Sequence, residues 1–239
     1  MGYSILLPGT PVSSDRGALG WSSVTLIRRG ARNILVDTGS YGDRMTLLAA
    51  LETHGLKPDQ VNDVFISHLH YDHFLNVDLF SRAKIWVPER DLTYVMEREY
   101  LRCNDPYVPE VVVRYFSDHL TCYVPDQIIV EGLLAMGLPG HTPGTSGLYD
   151  EDSHTLFAGD GVKNAWEFVN RVPPPAFYDA EKAVANYKKV LELVDVVVPG
   201  HDSPFRITPD GGAKYLQSYT PIIKLYPGPD QNAKMIRIE

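Results

Sequence analysis

Four residues in the stretch "HLHYDH", namely His68, His70, Asp72 and His73, are of the types that hold divalent metals, and they crowd into one short turn. Imidazole nitrogen and carboxylate oxygen suit zinc, and also iron or manganese, whereas a thiolate site would draw on cysteine. On an extended chain His68 and His70 point to the same side and can grip one ion. The turn that follows lets Asp72 and His73 face a second. Three more ligand-type residues stand far along the chain: His141 in "GLPGHTPG", Asp160 in "LFAGD" and His201 in "VVVPGH". His141 and His201 are open to the task of completing the two sites, and Asp160 can bridge them. A single histidine at a strand end is more often a hydrogen-bonded structural residue, and His54, His119 and His154 are read that way.

The elements that must position these side chains recur in one form, a short apolar run that ends in a polar or Gly-rich turn. "DVFI" precedes His68, "AMGLPG" precedes His141, "TLFAG" precedes Asp160, "DVVVPG" precedes His201 and "NILV" precedes Asp37. "SSVTLIRRG" and "ARNILVDTGS" read as a hairpin joined at Arg29 and Gly30. Further strands are expected in "VNDVFISH", "AKIWVPE", "DQIIVEG", "LLAMGLPG", "TSGLYDE" and "HTLFAGD". "DRMTLLAALETHGLKP" has helical spacing at Met45, Leu48, Ala49 and Leu51, with Gly55 as its stop. "DAEKAVANYKKVLELV" reads as a second helix and "GGAKYLQSY" as a short third. From Arg90 to Asp118 the pattern is helical and aromatic, broken at "NDPYVPE". Strands interspersed with helices predict an α/β fold, a four-layer αββα sandwich of two mixed β-sheets flanked by helices, as one domain over residues 1–239. Loops at one end of the sheets would carry the chemistry. An insertion at about residues 90–124 could serve as a lid over the metals or as a homodimer surface.

A chain of 239 residues with a formal charge of −8 has no broad electrostatic footprint for a phosphate backbone, so a small molecule is the expected substrate and nucleic acid is not an expected partner. The first residues lack the basic and long apolar regions of a secretory signal, and no apolar run approaches the ~20 residues that span a bilayer. These features predict a cytoplasmic protein with no membrane partner. Cys103 and Cys122 have no CxxC spacing and are expected to be buried thiols.

The ligand set resembles the metallo-β-lactamase fold superfamily, whose signature is HxHxDH followed by later single His, Asp and His ligands. "LVDTG" resembles its opening motif, and the likeness runs from about Leu35 to Pro204. It implies one metal held by His68, His70 and His141, the other by Asp72, His73 and His201, with Asp160 bridging and Asp37 holding the histidine turn from outside. Gly140 and Gly200 would let the backbone turn sharply before their histidines. Two Zn2+ ions, with iron or manganese as alternatives, would sit ~3.5–4 Å apart and activate a shared water, while Asp72 acts as the catalytic carboxylate that relays a proton to the leaving group.

Departures from individual branches narrow the reading. The flavin and di-iron reductases resemble HxExDH, where this chain has His70. Asp160 argues against antibiotic hydrolysis, because the β-lactamases of the family generally lack the bridging aspartate. The stretch after His201 is short for the helical extension of glyoxalase II, and no inserted domain of the RNA-cutting kind fits. Quorum-quenching lactonases share the ligand set, yet they carry a tyrosine three residues after the bridging aspartate, where this sequence has Lys163. "DVVVPGHDSPFR" is similar to the tail of animal metallo-β-lactamase-domain proteins linked to RNA cleavage. The expected function is a zinc-dependent hydrolase of a small carbonyl ester, a lactone or a thioester. The alternatives are a phosphodiesterase or nuclease with the same metal pair, a mononuclear iron oxygenase of persulfide type, and a non-hydrolytic metal-bound binding protein. Lys163 could offer a point charge to a carboxylate or phosphate, and Trp166 and Tyr178 could wall the pocket.

Overall fold

The computed structural model describes residues 2–15, 17–19, 21–217, 219–225 and 234–237. The chain begins with β1 (Gly2–Leu7), a small ribbon of β2 (Ser13–Ser14) and β3 (Gly17–Ala18), and the hairpin β4 (Val24–Arg29) and β5 (Arg32–Val36). It continues through α1 (Arg44–Thr53), β6 (Asp63–Phe65), α2 (Tyr71–Phe74) and β7 (Lys84–Pro88). Next come α3 (Glu89–Met96), α4 (Glu99–Arg102), α5 (Glu110–Phe116) and β8 (Leu120–Tyr123). The second half runs β9 (Ile128–Val130), β10 (Leu133–Gly137), β11 (Ser146–Asp150), β12 (Thr155–Gly159), α6 (Ala165–Asn170), α7 (Ala180–Leu193) and β13 (Val196–Pro199). It closes with β14 (Phe205–Ile207), β15 (Ala213–Tyr215), β16 (Ile222–Leu225) and β17 (Lys234–Arg237).

Six strands form the first sheet in the order β1-β4-β5-β6-β7-β8, antiparallel as far as β5 and parallel beyond it. Seven strands form the second in the order β15-β14-β13-β12-β11-β10-β9, where β12 and β13 are the parallel pair. The two-residue period of a strand sorts the core. In β5, Ile34 and Val36 join Phe65 and Trp86 in the layer between the sheets, where they meet Leu133, Leu148, Phe157 and Val198 of the second sheet. Leu35 faces the other way and packs with Leu47 and Leu51 of α1, Val95 of α3 and Val113 of α5. Phe168 of α6 and Tyr187 and Val190 of α7 cover the outer face of the second sheet. The result is the αββα sandwich of two mixed sheets that the sequence pattern predicts.

Some local expectations need correction. The buried face of α1 is Leu47 and Leu51, one helical turn apart, while Met45 is 74% exposed. "GGAKYLQSY" is not a helix: Ala213–Tyr215 is β15, paired antiparallel with β14. A segment this short and Gly-led cannot nucleate a helix alone, and the free edge of β14 supplies its hydrogen-bond partners instead. Cys122 is exposed on β8, the last strand of the first sheet, and Cys103 is half-buried, so neither is a deeply buried thiol. Among the described residues no helix is long and apolar enough to cross a membrane.

Candidate metal centre

The ligand-type residues all follow the C-terminal ends of strands: Asp37 and the histidine turn follow the parallel pair β5/β6, Asp160 and His201 follow the parallel pair β12/β13, and His141 follows the antiparallel β10. Asp37 follows β5 in the left-handed region at φ 59°, a conformation that Asp tolerates better than most residues. Its Oδ1 accepts from the Ser67 amide at 2.7 Å and its Oδ2 from the Ser67 hydroxyl at 2.9 Å. The same Oδ2 lies 2.7 Å from His73 Nδ1. Asp37 therefore grips the histidine turn from outside and leaves His73 Nε2 facing inward. His70 is held in the mirror sense: Nε2 lies 2.8 Å from Asp105 Oδ2, and Nδ1 faces His141 Nε2 at 2.9 Å. The Pro175 carbonyl accepts from His141 Nδ1. An acceptor behind an imidazole keeps the proton on the outer nitrogen and turns the lone pair inward, the arrangement that metal-binding histidines use.

The inward atoms converge. Ligand atoms of His68, His70 and His141 lie within 4.8 Å of one another, and so do those of Asp72, His73 and His201. Asp160 reaches both groups: Oδ1 is 3.4 Å from His73 Nε2 and 3.2 Å from His201 Nε2, and Oδ2 is 3.4 Å from His141 Nε2. His68 Nε2, His73 Nε2, His201 Nε2 and Asp160 Oδ1 are buried and have no hydrogen-bond partner. A buried polar atom without a partner costs ~1–3 kcal/mol, so four of them facing one space make a strained arrangement unless a cation takes them as ligands. Nitrogen and carboxylate donors at these spacings fit a pair of divalent ions.

Charge follows the same plan. Burial, reinforced by His73, His70 and His141, holds the His68 imidazole well below its ordinary range, and burial pushes His141 down to about 3. Burial opposes protonation of His73 as well, yet Asp37, Asp72 and Asp160 hold it well above. Burial works to raise the Asp72 and Asp160 carboxyls. His73 and His201 overcome it at Asp72, and Lys163 and His201 overcome it at Asp160, so both stay ionised. Lys163 donates to Asp160 Oδ2 at 2.8 Å, which keeps its ammonium charged in spite of burial. The ionised carboxylates and the neutral His68 and His141 are ready for a divalent cation, whereas His73 and His201, held up by the carboxylates around them, would release a proton on binding one.

A cavity of about 310 Å3 opens beside these residues and is bordered by His70, Asp72, Tyr107, Lys163 and Glu167. Lys163 lies where the sequence suggests. Trp166 and Tyr178 do not border the cavity. Trp166 is 65% exposed on the solvent side of α6, and its neighbour Glu167 takes the inward position. Tyr178 packs under Arg90 and Lys182 instead. Asp105, Ser67, Thr10 and Glu167 carry parts of the site that sequence reasoning did not single out. Asp105 lies in the "NDPYVPE" break, which is visible as a break but gives no sign of its contact with a histidine 35 positions away.

This fold has counterparts among known proteins. The sequence profile of the Metallo-beta-lactamase superfamily matches residues 19–201, and the chain belongs to that superfamily. It is 32% identical over 221 residues to the Metallo-beta-lactamase domain-containing protein 1 of Xenopus laevis, covering 88% of this chain and 80% of the relative. Over 159 residues it is 26% identical to an N-acyl homoserine lactonase of Bacillus thuringiensis, covering 64% of this chain and 60% of that enzyme. The structure of AidC, a dizinc quorum-quenching lactonase, superposes with a TM-score of 0.65 at 18% identity, covering 83% of this chain and 80% of that one.

Proposed function

We propose that this chain is a metal-dependent hydrolase of a small carbonyl ester, a lactone or a thioester, with a pair of Zn2+ ions as its cofactor. One ion would be held by His68, His70 and His141 and the other by Asp72, His73 and His201, with Asp160 between them. The observation that carries the reading is the set of buried, partnerless nitrogens and oxygen from both sheets, gathered beside a cavity that Asp160 and His201 border. Bound divalent ions acidify water and polarise a carbonyl oxygen. The side chains do the rest. Asp72 is the most exposed of the seven candidate ligands and borders the cavity, so its carboxylate is placed to take a proton and pass it to a leaving group. Lys163 supplies a point charge at the rim and sets the charge state of Asp160.

The cavity itself favours a small ester over a polyanion. Among the described residues, Lys163 is the one lysine or arginine that borders it, and that lysine is already paired with Asp160. A phosphate backbone would meet few cations here. Similarity to a lactonase of Bacillus thuringiensis supports the same choice. The test is initial rates for a lactone, a thioester and a bis-aryl phosphodiester with zinc-loaded protein and with Asp72→Asn. Ester turnover that falls by about 100-fold or more in the variant supports the reading, a loss of the size that general acid-base groups command. Turnover of the phosphodiester alone would replace it with a phosphodiesterase.

A further inference from the structure

Two oxygens at the cavity lack partners and do not belong to the candidate ligands. Thr10 is 1% exposed, and its Oγ1 has no hydrogen-bond partner; Glu167 borders the same cavity, and its Oε2 is buried and likewise unpaired. Their segments meet on the chain just past His201. A Cβ on Gly9 would lie 2.7 Å from the Asp202 amide and 2.8 Å from the Gly200 carbonyl, which sets the Thr10 segment against residues 200–202. The Ala165 amide at the start of α6 donates to Asp202 Oδ2 at 3.0 Å, which sets Glu167 against the same residues.

Ordinary structural duties do not account for Glu167. It stands at the third position of α6, where a glutamate often caps the helix by reaching back to the first backbone amide. Here Asn164 does the capping, accepting from the Glu167 amide at 2.8 Å, and no reciprocal bond from the Glu167 carboxyl to the backbone is made. Asn164 hydrogen-bonds the Glu167 side chain, which still leaves Oε2 unmatched. No lysine or arginine among the described residues forms an ion pair with it, because Lys163 is engaged by Asp160. Burial pushes the Glu167 carboxyl up to about 7 although Lys163 and His201 favour its ionised form from nearby, so the group is short of a compensating partner; with the Thr10 hydroxyl at the same cavity it is complementary to an N–H cation.

We propose that Glu167 and Thr10 form an ammonium-recognising subsite, and that the ester this chain hydrolyses carries a protonated amine in its acyl or leaving part. The inference rests on the ester-hydrolase reading and narrows its substrate. The subsite acts on binding: Glu167 accepts from the substrate N–H and balances its charge, Thr10 Oγ1 accepts a second hydrogen bond, and the carbonyl is left at the candidate metal residues.

Two matched pairs of probes test it. Dimethylaminoethyl thioacetate and isopentyl thioacetate have the same shape and differ in the charged nitrogen. γ-Aminobutyrate and pentanoate differ likewise and report binding by calorimetry on zinc-loaded protein without any turnover. A charge-assisted hydrogen bond predicts that the wild type favours the amine of each pair by about tenfold. Glu167→Gln should bring both ratios to within about twofold of one, and Thr10→Val, which removes the acceptor for a second N–H that only the primary ammonium carries, should lower the γ-aminobutyrate ratio part of the way. Equal treatment of the partners by the wild type overturns the subsite, as does an amine preference that survives in zinc-replete, folded Glu167→Gln. Should that variant not fold, the wild-type ratios and Thr10→Val decide the matter. If neither thioester is turned over, the ester-hydrolase reading fails in this arm, and the calorimetric pair still decides whether the subsite exists.

Discussion

An imidazole binds a metal only as well as the group behind it allows, and at His70 that group is Asp105. The carboxylate sits in the loop between α4 and α5, is 4% exposed, and is itself fixed by Tyr94, whose hydroxyl donates at 3.2 Å, and by the Tyr107 amide at 3.1 Å. Removing it frees the outer nitrogen of His70 and lets the ring turn. Asp105→Ala should weaken zinc binding by about 10–100-fold, the usual cost of losing such a partner, with Asp105→Asn in between. Competition against a chromophoric chelator measures it, and unchanged affinity would show that Asp105 merely packs. The seven candidate ligands were legible because their types and the HxHxDH spacing are unusual in any chain. Asp105 was not legible, because an aspartate before proline is ordinary loop chemistry until the fold carries it to His70. Trp166 and Tyr178 were misplaced for a related reason: aromatic type says nothing about which side of a helix or loop meets the cavity.

At the level of elements, neighbouring strand ends must come close enough for side chains to meet, and Gly200, beside the end of β12 in its own sheet, shows how tight that is. A Cβ there would lie 2.3 Å from Asp160 Oδ1 and 2.7 Å from the Gly159 carbonyl. The sequence suggests a sharp turn at Gly140 and Gly200. Gly140 does have φ 149°, but Gly200 is required by the close approach of β12 and β13 and not by a left-handed turn. Gly200→Ala should displace Asp160, so the folded variant should hold less than the wild-type ratio of zinc to protein by elemental analysis; full occupancy would show that the strand ends can part. Asp91 in α3 performs a similar joining task. Its carboxylate accepts from the Leu69 amide at 3.1 Å, the Thr142 hydroxyl at 2.9 Å and the Gly144 amide at 2.6 Å, and so ties the insertion to both ligand loops. Burial pushes this carboxyl up to about 6. The folded chain thus takes up the proton more readily than the unfolded one. The resulting stability is fully present below the unfolded pKa of ~4 and is lost as pH rises through the folded value. Relative to wild type, Asp91→Asn should therefore lose about 1–3 kcal/mol less on going from pH 4 to pH 7, measured by urea unfolding of metal-free protein at each pH. Equal slopes in the two proteins would remove Asp91 from the account.

For the molecule as a whole, the order of strands and helices was readable because apolar runs of strand length alternate with one long amphipathic helix, and this pattern allows few layered packings. Edges were less readable. Whether β8 ends the first sheet, which exposes Cys122, or whether β15 pairs with β14, depends on neighbours that no local pattern names. The same layering has a thermodynamic consequence for the metal pair. His68, His70, Asp72 and His73 come from the first sheet, whereas His141, Asp160 and His201 come from the second. Cations held by both groups would tie the two halves of the sandwich together, and the unfolded chain, with its ligands scattered, would bind them weakly. Zinc at about 100 times its dissociation constant adds ~2.7 kcal/mol of stability per site by mass action, and each kcal/mol moves the midpoint of a domain this size by ~2–4 °C. Chelation should therefore lower the midpoint by about 5–10 °C for one site and by more for two. Asp160→Ala should shrink the shift, since Asp160 faces both triads. Scanning calorimetry of zinc-loaded, chelated and Asp160→Ala protein measures all three. A midpoint that ignores chelation would mean that the buried nitrogens find other partners and that the converging side chains do not hold a metal pair.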